Sequence, residues 1–208
     1  MAKHIFFFLI VSIGSIASAQ VVQNPVGHTV EVARKAGTYY AGRSYDQWTV
    51  DINHDGLEDV LVSEKERPDE IDEEREANKW SFNPDERGFD VYIRLPAGGY
   101  VPATVIEDGK PVGNGIALDL SHCYVGYVPE VKGYGIVTVE ALTVDDPDEP
   151  QARHGVLKNQ VICYTVSGDQ IKRTNLTPQF DAGDKNAIYN KYFSESRRTK
   201  VQLQTVTP

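Results

Sequence analysis

The sequence predicts a mainly β protein, folded as an antiparallel sandwich or barrel-like sheet with one short C-terminal helix and an acidic insertion. Short runs rich in Val, Ile and Tyr follow one another and are separated by Gly, Pro, Asn or Asp. Apolar and polar residues alternate within such runs, as in residues 89–95, which places the apolar side chains on one face of a strand. No helix-length periodic segment separates the runs, so a parallel α/β sheet is not expected.

The first 19 residues have the features of a secretory signal peptide. Lys3 gives a positive start, an apolar run covers residues 5–16, and an A-x-A cleavage pattern ends at Ala19. We therefore expect cleavage after Ala19 and a secreted or periplasmic protein. An uncleaved anchor is the alternative, but a span needs about 20 apolar residues and the run is shorter. No later segment is apolar enough, so we expect no membrane span in the mature chain.

Length and charge limit the partners that the chain is expected to bind. The 208 residues include 21 basic and 30 acidic side chains, which gives a net charge of −9. Such an acidic chain is not expected to bind nucleic acid or an anionic membrane, whereas it suits the binding of cations. Residues 20–208 are long enough for a sizeable core and are expected to form one β-rich domain.

The strands are predicted from the apolar runs in chain order. They cover residues 48–52, 58–63, 89–95, 100–107, 115–120, 123–128, 134–144 and 160–166. A hairpin turn at residues 167–170 is expected to continue the last of these runs into a further strand. Near the C terminus, residues 200–206 are expected either to fray or to add an edge strand.

Two segments have helical features, and one is a loop by composition. Residues 67–80 are strongly acidic and nearly devoid of apolar side chains, which predicts a solvated helix or an insertion between two strands. Residues 145–155 have the composition of a loop. In residues 181–196, Asp184 is a capping residue, and the apolar residues share one helical face. Those apolar residues are Ile188, Tyr192 and Phe193.

The sequence contains two cysteines, Cys123 and Cys163, both within predicted strands. An even number in an exported protein favours a disulfide, which would stabilise the fold by about 3–4 kcal/mol in the chain-entropy model. Two buried free thiols are the alternative. A zinc site is not expected, because neither cysteine belongs to a CxxC pair.

The segment DINHDGLEDVLVS, residues 51–63, crowds oxygen-bearing side chains around a glycine. Calcium prefers six to eight oxygen ligands, and a short loop offers them when acidic or amide side chains recur at every second residue. Gly56 lies at the sharp turn, and Trp48 is expected to pack beneath the loop. The predicted ligands are the side chains of Asp51, Asn53, Asp55 and Asp59 and the backbone carbonyl of Leu57. A solvated Asx-type turn without an ion is the alternative.

This segment resembles the D-x-[DN]-x-D-G-x-x-D calcium loop that EF-hands, dockerins and the FG-GAP/VCBS repeats of extracellular β-proteins share. Val62 stands where an EF-hand has its bidentate Glu, and the flanking residues are strand-like, so the resemblance favours the FG-GAP/VCBS form. It implies one structural Ca²⁺ that holds a turn between two strands. Without the twelfth ligand, we expect an affinity of about 10⁻⁴–10⁻³ M. FG-GAP/VCBS loops usually come in tandem, and this sequence has one, so we expect a single β-domain and no propeller.

No catalytic motif is evident in the sequence. His122 lies close to Asp119 and Ser121, but we interpret this group as strand-end decoration, since a triad is defined by geometry. We therefore predict no catalytic residues and no organic cofactor. The expected function is a non-enzymatic binding or surface-associated module whose partner is a glycan or a protein. The alternative is a small secreted hydrolase that acts on an extracellular polymer and uses calcium as structural support.

Overall fold

The computed structural model describes residues 20–65, 85–144, 156–179 and 187–208, which form a mainly β fold. Two helices are present in these residues, α1 (Pro25–Ala36) and α2 (Ala187–Tyr192), and a 3₁₀ turn covers Thr177–Gln179. The twelve strands are β1 (Tyr45–Val50), β2 (Asp59–Glu64), β3 (Glu86–Arg94), β4 (Tyr100–Pro102), β5 (Thr104–Glu107), β6 (Lys110–Gly113), β7 (Gly115–Asp119), β8 (Cys123–Val128), β9 (Gly133–Val144), β10 (Val156–Ser167), β11 (Gln170–Asn175) and β12 (Gln204–Val206).

The strands form two six-stranded sheets. Sheet A has the order β12-β1-β2-β3-β4, and β7 pairs with the first half of β3 while β4 pairs with its end. Sheet B has the order β6-β5-β11-β10-β9-β8. All pairs are antiparallel except β5 with β11, which are parallel. The predicted fold class is therefore confirmed, and sheet B is mixed where a purely antiparallel sheet was expected.

The sandwich core lies between the two sheets. It contains Trp48 and Leu61 of sheet A and Ile136 and Ile162 of sheet B, all of which are buried. Ile52, in the loop after β1, belongs to the same core cluster as Trp48. Burying one such aliphatic side chain contributes about 1.5–3 kcal/mol, which makes this layer the main source of stability.

Each helix covers the outer face of one sheet. Val26 and Val30 of α1 pack with Val62 and Tyr92 of sheet A. On the other side, Tyr192 and Phe193, in and just after α2, pack with the outer face of sheet B. The described elements thus form helix, sheet, sheet and helix layers, and apolar side chains on both faces of the central strands are buried.

Helix α1 was absent from the sequence prediction, although its end signals are present. Asn24 caps it, because the Asn24 side chain accepts a hydrogen bond from the Gly27 N–H at 3.0 Å, and Pro25 occupies the first turn. Gly37 ends it in the left-handed conformation with φ 77°. Its interior holds β-branched residues that favour strands, and only a narrow apolar stripe is buried, so periodicity alone did not indicate a helix.

The predicted run at residues 100–107 is divided between the sheets. It forms β4 in sheet A and β5 in sheet B, and the chain crosses between them at Ala103. Pro102 has no N–H for a sheet ladder, and the Ala103 N–H donates to the Val91 carbonyl at 2.8 Å. The hairpin turn after β10 is confirmed, and the C-terminal residues supply an edge strand, β12.

The expected disulfide is wrong for the folded chain, because both cysteines are free and buried. Cys123 lies on β8 and Cys163 on β10, and β9 separates these two strands. Two strand spacings are about 9.6 Å, and disulfides need Cα atoms within about 7 Å. The side chains also face opposite ways, Cys123 toward the sandwich core and Cys163 toward α2. Burial raises the pKa of each thiol to about 12.

Three predicted segments lie outside the described residues. They are the signal peptide at residues 1–19, the acidic insertion at 67–80 and the loop at 145–155. The C-terminal helix is confirmed over Ala187–Tyr192. The start of its predicted range, including Asp184, is also outside, and residues 193–196 lie beyond the end of the helix. In the part of the chain that is described, no helix has both the length and the apolar character that a membrane crossing requires.

Candidate functional site

The aspartate loop connects β1 to β2 at one end of sheet A. The two strands pair in antiparallel register from Tyr45 opposite Glu64 to Val50 opposite Asp59. No helix leads into the loop, which agrees with the strand-flanked form expected from the sequence. The loop therefore occupies the place of a hairpin connection, where the spacing of its ends is fixed by the strand pair.

Hydrogen bonds from the backbone hold three of the predicted ligands together. The Asp51 carboxylate accepts from the N–H groups of Asp55 at 3.1 Å and Gly56 at 2.9 Å. The Asn53 side-chain oxygen accepts from the same Asp55 N–H at 3.2 Å. Asp55 in turn accepts from the Leu57 N–H at 2.8 Å. These side chains point inward over the bend because each one accepts a hydrogen bond from a backbone N–H of the loop. In a strand, such an N–H would pair with a neighbouring strand.

The bend depends on two residues in the left-handed region. Gly56 has φ 85°, a conformation that glycine adopts without steric cost. His54 has φ 61°, which is uncommon for a residue with a side chain. Gly56 therefore has the role that its place in the pattern predicted, and His54 has a conformation that the pattern did not predict.

Asp59 is turned into the protein and is 1% exposed. Its two carboxylate oxygens accept from the N–H groups of Ile52 at 3.2 Å and Arg94 at 2.9 Å. Burial raises the pKa of Asp59 to about 6, and the nearby Asp55 and Asp51 carboxylates add to the effect, while the two hydrogen bonds oppose it. The charged form of Asp59 is thus disfavoured in this site.

The predicted ligands are oxygen atoms, which suit a hard cation. Their positions, however, do not form a complete coordination site. In the described ranges 20–65, 85–144, 156–179 and 187–208, no three His, Cys, Asp or Glu side chains lie together closely enough to hold a metal ion. The reason is that Asp59 faces the backbone of Ile52 and Arg94, while Asp51, Asn53 and Asp55 lie together. In loops of this type the ninth position often acts through water, which is compatible with an inward Asp59.

The loop also contacts sheet B through an aromatic group that the sequence did not reveal. The His54 ring stacks on Tyr134 of β9, with ring centroids 4.6 Å apart and planes 20° apart. Tyr134 meets Tyr127 of β8 edge to face at 5.4 Å. The calcium-loop pattern gives His54 no role as a ligand. His54 is exposed, but it is also the contact between the loop and the β8–β9 hairpin.

The group at His122 does not have the geometry of a triad. The His122 ring contacts the Asp119 carboxylate at 3.0 Å, and Asp119 also accepts the Ser121 N–H at 2.8 Å. The Ser121 hydroxyl, however, donates to Asp85. Asp119 thus holds the turn after β7, and the nucleophile that a triad needs is directed elsewhere, as expected for strand-end decoration.

Two grooves are present on the surface of the described residues. One of about 510 Å³ runs between α1 and sheet A and has Asp90 and Thr29 among its lining residues. Burial raises the pKa of Asp90. The other, of about 990 Å³, is lined mostly by residues with polar or charged side chains, among them Lys172 and Arg173. Arg173 is already paired with Glu107 and Glu140.

Comparisons of the chain with protein-family models, with curated proteins and with solved structures found no match. The resemblance of residues 51–59 to FG-GAP/VCBS loops therefore stays a prediction from the sequence.

Proposed function

We propose that the protein is an exported β-domain that binds one structural Ca²⁺ at residues 51–59 and acts as a binding or surface-associated module. The observation that carries this proposal is the uncompensated negative charge in the loop. The Asp55 and Asp51 carboxylates raise the cost of ionising Asp59, and none of the three takes part in an ion pair among the described residues. A divalent cation would remove that cost.

Calcium is the cation that best suits these donors. All of them are oxygens, from carboxylates, one amide and the Leu57 carbonyl, and calcium accepts such mixed and irregular sets. Asp51, Asn53 and Asp55 would hold the ion directly, and Asp59 would act directly or through water. Bound there, the ion supplies positive charge that fixes the bend between β1 and β2, so its proposed role is structural.

The proposed location is secreted or periplasmic, with residues 1–19 removed after Ala19. Extracellular calcium concentrations suit the modest affinity of about 10⁻⁴–10⁻³ M that we expect, since modules outside the cell bind in this range. The proposed partner of the module is a glycan or a protein.

The alternative, a secreted hydrolase, requires two acidic groups of shifted pKa in one cleft. In the described residues, burial raises the pKa of Asp59 and of Asp90. These side chains point to opposite faces of sheet A, because Asp59 shares the core-facing side of β2 with Leu61, and Asp90 lies opposite Val62 on the α1 side. No observation on the described residues thus favours the hydrolase.

Calcium-dependent melting of wild type and Asp55→Ala tests the ion site. With the affinity given above, about 10 mM CaCl₂ should stabilise the wild type by about 1.4–2.7 kcal/mol relative to chelator. For a chain of this size that corresponds to roughly 3–10 °C in melting temperature. Asp55→Ala should lose this gain because it removes one direct ligand.

Glu58→Ala is the matched control, because Glu58 is an exposed acid of the same loop outside the predicted ligand positions. It removes the same charge and should keep the calcium gain. Equal melting of wild type in calcium and in chelator at constant ionic strength would refute the ion site. If Asp55→Ala keeps the calcium-dependent stabilisation, the ion binds elsewhere in the protein.

A further inference from the structure

We propose that Tyr127 and Tyr134, supported by His54, form a carbohydrate-binding platform at the tip of the β8–β9 hairpin. This inference rests on the proposed function as a binding module and names both the surface and the class of ligand. We use "tyrosine platform" for the side chains of Tyr127, Tyr134 and His54.

The platform is a cluster of three aromatic side chains, two from sheet B and one from the loop between β1 and β2. Tyr127 and Tyr134 lie directly opposite each other near the turn of the hairpin. Their rings meet edge to face at 5.4 Å, and the His54 ring lies nearly parallel to Tyr134 at 4.6 Å. Such contacts between rings favour defined orientations, so the tyrosines are held in place before a ligand arrives.

Both tyrosines remain open to solvent. Tyr127 is 48% exposed and Tyr134 is 39% exposed, whereas the tyrosines of the core, such as Tyr45 and Tyr92, are 1% exposed. Among the exposed large apolar residues of the described ranges, Tyr127 and Tyr134 are in ring contact with each other. The hairpin therefore presents ordered ring surface to solvent that the fold itself does not bury.

The size of the platform favours a sugar over a protein. An aromatic side chain buries at most about 150–250 Å², so two half-covered rings offer far less than the about 1,000 Å² of a specific protein interface. One or two sugar rings match this area, because the C–H face of a pyranose packs on an aromatic ring.

Titration by two-dimensional NMR with linear hexasaccharides tests this proposal. The probes are cellohexaose, xylohexaose, mannohexaose and chitohexaose, each added to the full chain in calcium and in chelator. We expect at least one of them to shift the ring resonances of Tyr127 and Tyr134. Tyr127→Ala should weaken that binding by about three- to tenfold, the range expected for loss of one ring contact.

Two further variants make the result specific. Tyr127→Phe keeps the ring and should bind nearly as the wild type does. Tyr40→Ala removes a ring that is 60% exposed outside the platform, and it should have no effect. Absence of any shift with all four sugars overturns the proposal, and so do shifts confined to other residues or unchanged binding by Tyr127→Ala.

The titrations separate this proposal from the calcium site. Stabilisation by calcium with no sugar binding would remove the tyrosine platform and leave the ion site intact. If sugar binding depends on Tyr127 but calcium does not stabilise the protein, the ion site is removed and the tyrosine platform is kept.

Discussion

Asp59 should make the protein less stable as the pH rises from about 4 to about 6 when calcium is absent. The carboxyl is buried, and its pKa in the folded state is about 6, against 3.8 for an unperturbed Asp. A raised pKa means that the folded state binds the proton more tightly than the unfolded state does. Stability from this group is therefore fully present below the unfolded pKa and is lost as the carboxyl ionises.

The size of this loss follows from the shift in pKa. Each pKa unit corresponds to about 1.36 kcal/mol, so the complete loss is at most about 3 kcal/mol, and solvent near the loop reduces it. Between about pH 4.5 and pH 7.5, the two titration curves predict a loss of about 2 kcal/mol. Saturating calcium should diminish this loss, because a bound cation favours the ionised carboxylate.

Chemical denaturation at several pH values measures the effect in wild type and in Asp59→Asn. Asn at this position cannot ionise, so the variant should lack about 2 kcal/mol of the pH dependence in chelator. Its absolute stability is not the readout, since Asn offers one acceptor to two backbone donors, Ile52 and Arg94. Identical pH dependence of the two proteins in chelator would show that Asp59 is not buried as described.

Two predictions concern the export and the thiols of the chain. Intact-mass analysis of protein from its native host should give an N terminus at Gln20, and a mature chain that retains residues 1–19 would contradict the proposed signal peptide. Iodoacetamide should modify neither Cys123 nor Cys163 in the native protein and both after denaturation without reductant, because burial holds each thiol in its protonated form. A mass about 2 Da lower than that of the dithiol would instead demonstrate the disulfide that their positions on β8 and β10 exclude.

Local patterns predicted the strands well because the signal for a strand is carried by adjacent residues. Alternation in residues 89–95 and β-branched runs such as 134–144 indicate which side chains share a face of a strand. The same division of side chains between two faces determines how the strand packs in the sheet. Contacts between distant segments carry no such signal. The stacking of His54 on Tyr134 joins residues 80 positions apart, and nothing near either residue indicates the partner.

The faces of the strands explain the inward orientation of Asp59 and the wrong prediction of a disulfide. Asp59 opens β2 and shares a face with Leu61, so strand alternation directs it toward the core and away from the other loop carboxylates. The loop pattern placed it with Asp55, because that pattern describes spacing and not the sheet that follows. Likewise, the number of cysteines gave no indication that Cys123 and Cys163 face opposite sides of sheet B.

Asp59 and His54 together determine how an ion in the loop would affect the rest of the molecule. Asp59 ties the loop backbone at Ile52 to the end of β3 at Arg94, so a change in its charge acts within sheet A. His54 is the only loop residue for which a ring contact to sheet B is described. Bound calcium would thus affect the tyrosine platform by fixing the conformation of His54. The φ of His54 is 61°, and the hydrogen bond from the Asp55 N–H to the Asn53 side chain closes the bend around it. If the bend relaxes in chelator, sugar affinity should fall while the β8–β9 pairing itself is kept, because that pairing depends on backbone hydrogen bonds within sheet B.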